Sequence, residues 1–294
     1  MTNEKSFNVL DTKRCKLGEG PIWNTRENKL YYTNGYGASE VCILDIATET
    51  MSVRKLPFDA AAYAFDTTNR LIISHVDGVH TLNDDDTLKS IYDNDLHKIK
   101  FANDMKVGPD GAIYVGTQSR KRKKLSDDID GKLYRISPEG DVKILIDGLL
   151  LSNGMEWSID EKKFYHTDSD TGIIKEYNFD KSSGDIEFTG REVFVPGVDG
   201  FTIGYDQRLY IGCWGQGHIS VVNIETMCVE EEIKIPVNIP TSCCFCGEQM
   251  DILAITSVSS ASDVSLDKNA GFTILMKTNT KGRLPYLFGE KNKV

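Results

Sequence analysis

Four residues carry the chemistry that this sequence offers most plainly: Glu19 in "CKLGEGPIWN", Asn103 in "FANDMKV", Asn153 in "LSNGMEW" and Asp199 in "GVDGFTIG". Each stands at the entrance to a strand-like run. Two carboxylates and two amide oxygens, with water completing the shell, form a hard oxygen site for a divalent cation such as Ca²⁺, Mg²⁺ or Mn²⁺, with Zn²⁺ also within its range. Taken singly, each is an ordinary turn or strand-start residue, because Asn-Gly and Asp-Gly are common turn formers. Their recurrence at matching positions of a repeat makes them a set.

That repeat is visible in the elements around them. Short β-rich runs such as "LYYTN", "RLIISH", "AIYVGT", "FYHTDS" and "RLYIGCW" alternate with Asn, Asp and Gly turns, and no long amphipathic helical pattern competes with them. A two-strand phrase recurs in six copies, beginning near residues 18, 61, 102, 152, 198 and 241. Further strand-like text follows each copy, giving about four strands per unit and a period of roughly 40 to 50 residues, the signature of a β-propeller. The expected fold is therefore all-β, a six-bladed propeller, with residues 1–294 as one domain, since such units cannot bury their faces singly. The innermost strand of each blade lines the central channel, so Glu19, Asn103, Asn153 and Asp199 of blades one, three, four and five meet at one mouth. In blades two and six the matching positions, near Ala62 and Ser242, bear no carboxylate.

The formal charge of −10 opposes capture of nucleic acid or an anionic membrane surface. A small-molecule substrate and a metal cation are the expected partners. The N-terminal "MTNEKSFNVLDTK" lacks an apolar signal stretch, and a cytoplasmic location is expected. Seven cysteines, an odd number, do not form a secreted disulfide framework, and "SCCFC" lacks zinc-site spacing. They read as buried, reduced strand residues. Nothing in the sequence sets an oligomeric state.

Across nearly the whole chain the motifs "LGEGPIW", "ANDMKVGPDGAIYVGT", "LLLSNGMEWSIDEKKFYHTDS", "VDGFTIGYDQRLYIGCWG" and "AGFTILMKTNTKGRLPYLFG" occur in order. In these the chain resembles the senescence-marker-protein, gluconolactonase and luciferin-regenerating-enzyme family, also called the regucalcin family. The resemblance implies a six-bladed propeller with one catalytic divalent metal, Ca²⁺ foremost, held by Glu19, Asn153 and Asp199. It implies that Asn103 lies beside the metal and contacts substrate, and that Asp199 also acts as general base or proton shuttle. Three departures bear on substrate. Phe101 stands where the family's lactonases commonly carry Arg, and Lys121 stands near the place of a frequent acid. Met105 replaces a frequent Gly. Phe101, Met105 and Lys121 are thus candidate substrate-binding residues, and a substrate less polar than a sugar acid is expected from the first two.

The resulting expectation is a metal-dependent hydrolase of small lactones, in which activated water attacks the lactone carbonyl. A related esterase or phosphoester hydrolase on the same scaffold, and a calcium-binding regulatory protein without turnover, stay open beside it. No G-x-S-x-G elbow, H-E-x-x-H helix or phosphate loop is present. His75, His80, His97, His166 and His218 form no spaced metal pair, and each reads as a packed or surface residue. The charged run "SRKRKKLSDDID", residues 119–130, reads as a solvated loop, with a lid over the mouth as the alternative. Trp23, Trp157 and Trp214 read as inter-blade packing.

Overall fold

The computed structural model describes residues 6–120 and 129–290. The described residues contain strands and turns and no helix. Six four-stranded antiparallel sheets form the blades of a propeller. Blade one is β2 (Gly18–Asn24), β3 (Lys29–Asn34), β4 (Glu40–Asp45) and β5 (Thr50–Lys55). Blade two is β6 (Ala62–Phe65), β7 (Leu71–His75), β8 (Gly78–Leu82) and β9 (Leu88–Ser90), and blade three is β10 (Ala102–Val107), β11 (Ile113–Thr117), β12 (Gly131–Ile136) and β13 (Val142–Leu149). Blade four is β14 (Ser152–Trp157), β15 (Lys163–Asp168), β16 (Ile173–Asp180) and β17 (Asp185–Phe194). Blade five is β18 (Val198–Gly204), β19 (Arg208–Cys213), β20 (His218–Asn223) and β21 (Cys228–Lys234). Blade six joins β22 (Pro240–Cys246), β23 (Ile252–Ser257) and β24 (Thr273–Lys277) to the N-terminal β1 (Phe7–Leu10).

That last pairing, Phe7↔Met276 through Leu10↔Thr273, ties the two ends of the chain into one sheet and closes the ring. The first strands of the blades contact one another in cyclic order, β2, β6, β10, β14, β18, β22 and back to β2. Apolar residues facing between neighbouring sheets supply the cores. Between blades three and four, Tyr114 meets Trp157 edge-on at 4.8 Å between ring centroids, with Phe164 and Phe179 alongside. Aromatic pairs in this geometry gain from quadrupole alignment as well as burial. Trp23 and Trp157 are buried core residues, as expected, but Trp214 is not: it follows β19 in the turn before β20 and is half-buried at the channel mouth.

The channel narrows because inner strands approach at glycine. A Cβ on Gly154 would strike Asp199 O, and one on Gly200 would strike Ser242. No helix among the described residues is long and apolar enough to cross a membrane. All seven cysteines are free; five are buried, Cys244 is half-buried and Cys228 is exposed.

Beyond β24 the chain runs across the end of the channel opposite Glu19. Gly282 N donates to Met250 O (2.8 Å), Phe288 N to Phe65 O (2.9 Å) and Gly289 N to Gly111 O (3.0 Å). Arg283 reaches inward to Glu156 (2.5 Å), and Lys106 binds the other oxygen of the same carboxylate at 2.9 Å. Burial opposes ionisation of Glu156, but the Lys106 and Arg283 cations outweigh it and hold its pKa below the ordinary value. Removing one partner from so enclosed a network leaves charge uncompensated. Arg283→Ala is expected to cost about 3 kcal/mol of unfolding free energy, measured by denaturant titration; a loss within the error of a surface substitution would refute the role assigned to this contact.

Candidate metal and substrate site

Glu19, Asn103, Asn153 and Asp199 each occupy the second position of an inner strand. In each of these strands the pairing register slips at or directly after that residue, between Glu19 and Ile22, Ala102 and Met105, Ser152 and Met155, and Val198 and Phe201. Such bulges bend a strand and re-aim its side chains. Here they turn four side chains toward one cavity of about 360 Å³, which all four line. The inner strand of blade two pairs without a slip from Ala62 to Phe65, and offers no polar side chain at this level. In blade six the slip lies between Pro240 and Cys243, so the residue matching Asp199 is Thr241, one position before the Ser242 expected from the sequence. Its hydroxyl is committed to Gly18 O at 2.6 Å.

Hydrogen bonds set the orientation of the two amides. Asn153 Nδ2 donates to Asp199 Oδ1, and Asn103 Nδ2 donates to Ser152 O at 3.1 Å. Glu19 Oε2 accepts from Gly20 N at 3.1 Å. Burial raises the Glu19 pKa well above the ordinary carboxylate value, and the negative charges of Asp199 and Asp104 raise it further. The mouth thus gathers acids that repel one another.

Asp104 is the site residue that the sequence reading passed over. Half-buried and adjacent to Asn103, it lines both the mouth cavity and a smaller cavity of about 70 Å³ farther down the channel. Burial raises its pKa, while Lys106 and the Met105 N–H act against that rise. A signal was available, because the residue after each of the other three ring residues is glycine, Gly20, Gly154 and Gly200, and only here is it an acid. Gln118, Ser169 and Trp214 also line the mouth. The Ser169 hydroxyl is buried without a hydrogen-bond partner, the state of a group that a ligand oxygen would satisfy.

The other expected substrate residues separate. Phe101 stands 40% exposed beside the mouth, its backbone oxygen accepting from Gln118 N at 2.9 Å. Met105 is buried in the core between blades two and three and lines the lower cavity, not the mouth. Lys121 lies outside the described residues, as does most of the charged loop; Arg120 is paired with Asp130 at 2.8 Å. His166 is a packed residue. Its Nε2 shares a 2.7 Å hydrogen bond with Ser152 Oγ, and burial pushes its pKa down to about 3.

The carboxylates suit a hard cation, and charge relief is what their burial lacks. Among the described residues no three His, Cys, Asp or Glu side chains form a metal-ligating cluster, so a cation at this mouth would need an amide oxygen beside the carboxylates.

A six-bladed propeller whose bulged inner strands carry acids and amides to one mouth is the class that fold and site define. The chain belongs to the SMP-30/gluconolactonase/LRE-like family, whose model matches residues 17–259. It is 28% identical over 294 residues to chicken (Gallus gallus) regucalcin, covering 95% of this chain and 97% of that protein. It is 29% identical over 254 residues to a putative sugar lactone lactonase, YvrE, of Bacillus subtilis, covering 84% and 85%. The crystal structure of a calcium-binding protein, regucalcin, from Agrobacterium tumefaciens superposes with a TM-score of 0.85 at 22% identity over 97% of this chain and 98% of that one.

The raised pKa of Glu19 has a measurable sign. Between the ordinary glutamate pKa and the raised one, the metal-free folded protein holds a proton that the unfolded chain has lost, so stability falls as pH rises through that interval. Thermal unfolding in chelator is expected to show this fall, saturating Ca²⁺ to abolish it, and Glu19→Gln to reduce both effects. A Tm indifferent to pH and Ca²⁺ across the interval would overturn the assignment of Glu19 to a cation site.

Proposed function

We propose that the protein hydrolyses small lactones with the help of one divalent cation, Ca²⁺ foremost, held by Glu19, Asn153 and Asp199. The observation that carries this reading is electrostatic: half-buried Glu19 feels the negative charges of buried Asp199 and of Asp104, an arrangement of like charges that a cation would reconcile. Membership of the gluconolactonase-like family and the lactonase name of the Bacillus subtilis relative support the reaction class. The calcium-binding name of the Agrobacterium protein supports the metal.

When bound, the cation would polarise an ester carbonyl and make water acidic enough to attack near neutral pH. The chain's own residues supply the rest. Asn103, which keeps a second amide N–H after its bond to Ser152 O, donates to the carbonyl oxygen as negative charge develops there. Asp199 accepts a proton from the attacking water. The C–O bond of the ring then breaks, and Asp199 returns that proton to the leaving alkoxide, giving an open hydroxy acid. Asn153 holds the Asp199 carboxylate in place through its Nδ2–H.

The test is proton release by metal-stripped protein on a panel of lactones, with Ca²⁺, Mn²⁺, Mg²⁺ or Zn²⁺ restored one at a time. Metal-restored turnover is expected, falling roughly 10²–10⁴-fold in Asp199→Ala and on the order of 10²-fold in Asn103→Ala. Tight metal binding without turnover on any lactone would overturn the hydrolase reading in favour of a binding role.

A further inference from the structure

The wall of the mouth on the side of blades one and two is apolar above its acidic floor. Besides Glu19, the described lining residues there are Leu17, Thr33, Tyr36, Ala60 and Ala61. Thr33 gives its hydroxyl to Ala60 O at 2.8 Å, so it has no hydrogen left to donate to a ligand. Tyr36 projects from the β3–β4 turn and is 57% exposed. Farther along the same rim stand Val76 and Phe101, also exposed, with Phe101 N donating to Val76 O at 2.7 Å.

These loops form one tied structure. Asp59 accepts from Gly37 N (2.8 Å) and Ser39 Oγ (2.7 Å), fastening the Tyr36 turn to the segment before β6. Phe58 of that segment packs edge-on against His75, next to Val76, at 5.3 Å. The Phe101 backbone then joins Val76 to Gln118 in the cavity wall. Two residues on this rim are also held in backbone conformations that bulky side chains avoid. Tyr36 has φ of 55° and Phe101 has φ of 57°, and they are the only aromatic residues with left-handed backbone among those described. Strain of this kind persists where surrounding structure imposes it, and it gathers at functional sites.

We infer that this rim selects lactones bearing an apolar alkyl or aryl substituent, which lies across Tyr36 toward Phe101 while the ester sits on the acidic floor. The inference rests on the lactonase reading and adds the substrate class. On this side of the mouth a polyhydroxylated lactone would set its hydroxyls against the side chains of Leu17, Ala60 and Ala61, which cannot pair with them, with Gln118 and Ser169 left to the opposite side. An alkyl chain would leave water for the same surface at a gain of roughly two- to fourfold in kcat/KM per methylene covered.

The experiment uses the metal-restored protein and a series of δ-lactones carrying hydrogen, methyl, propyl and pentyl at the carbon beside the ring oxygen, with an aldonolactone of the same ring size. The expected result is a rise in kcat/KM along the series, with the aldonolactone below its pentyl member. Tyr36→Asn/Phe101→Asn keeps residues that tolerate left-handed backbone, so Tm should hold while the rise along the series flattens. Preference for the aldonolactone, or an undiminished rise in the double variant, overturns the inference. If no lactone is turned over, the reaction reading fails by itself, and the rim is then tested by calorimetry with the matching alkyl lactams, which are not hydrolysed. Affinity that climbs with chain length and loses that dependence in the double variant upholds the rim; affinity indifferent to chain length overturns it.

Discussion

Neighbouring inner strands approach so closely at Gly20, Gly154 and Gly200 that a side chain at any of the three would strike the next strand. This backbone approach sets the radius of the ring, and with it the distance over which residues from different blades can meet. The bulges complete the effect. Each slip in register turns the ring residue at its start toward the axis, so side chains separated by up to 180 positions in the chain share one cavity. At Asn103 the following residue is Asp104, not glycine, and its carboxyl enters the channel between the mouth and the lower cavity.

The channel therefore contains two electrostatic regimes, one above the other. In the lower one, Glu156 is buried and yet ionises readily, because Lys106 and Arg283 lie against it. At the mouth, Glu19 and Asp104 are half-buried with their pKa values raised, and Lys106 relieves Asp104 in part. The same fold balances one set of charges with its own side chains and leaves the other under repulsion. A buried carboxylate group in that condition either keeps its proton or acquires a cation, and the choice depends on pH and metal together.

The ring was legible in the sequence because propeller blades repeat, and the alternation of strands with Asn, Asp and Gly turns placed each inner strand to within a residue or two. Glu19, Asn103, Asn153 and Asp199 stood out for the same reason. Features that depend on register were not legible. Thr241 rather than Ser242 matches the ring position in blade six, because a bulge adds a residue that spacing alone does not assign to one strand or the other. Trp214 looked equivalent to Trp23 and Trp157, but those two lie inside inner strands, whereas Trp214 follows β19 and turns to the mouth. Arg283 meets Glu156 from 127 residues away through a segment with no repeat pattern, so no periodicity points to it.

Floor and rim differ in what holds them. The floor residues belong to strands whose backbones are laddered on one side and packed against the next blade on the other, so their positions follow from the fold. The rim residues Tyr36 and Phe101 belong to connections outside the ladders, positioned by the Asp59 contacts, the Phe58–His75 packing and the bond from Phe101 N to Val76 O. Changes in the rim can therefore alter which molecule is held without disturbing the convergence of acids beneath it. Changes in the floor act on the cation and the reacting bond. Because the two sets lie on different parts of the backbone, the chemistry of the site and the shape of its ligand are separable, and family membership bears more directly on the first than on the second.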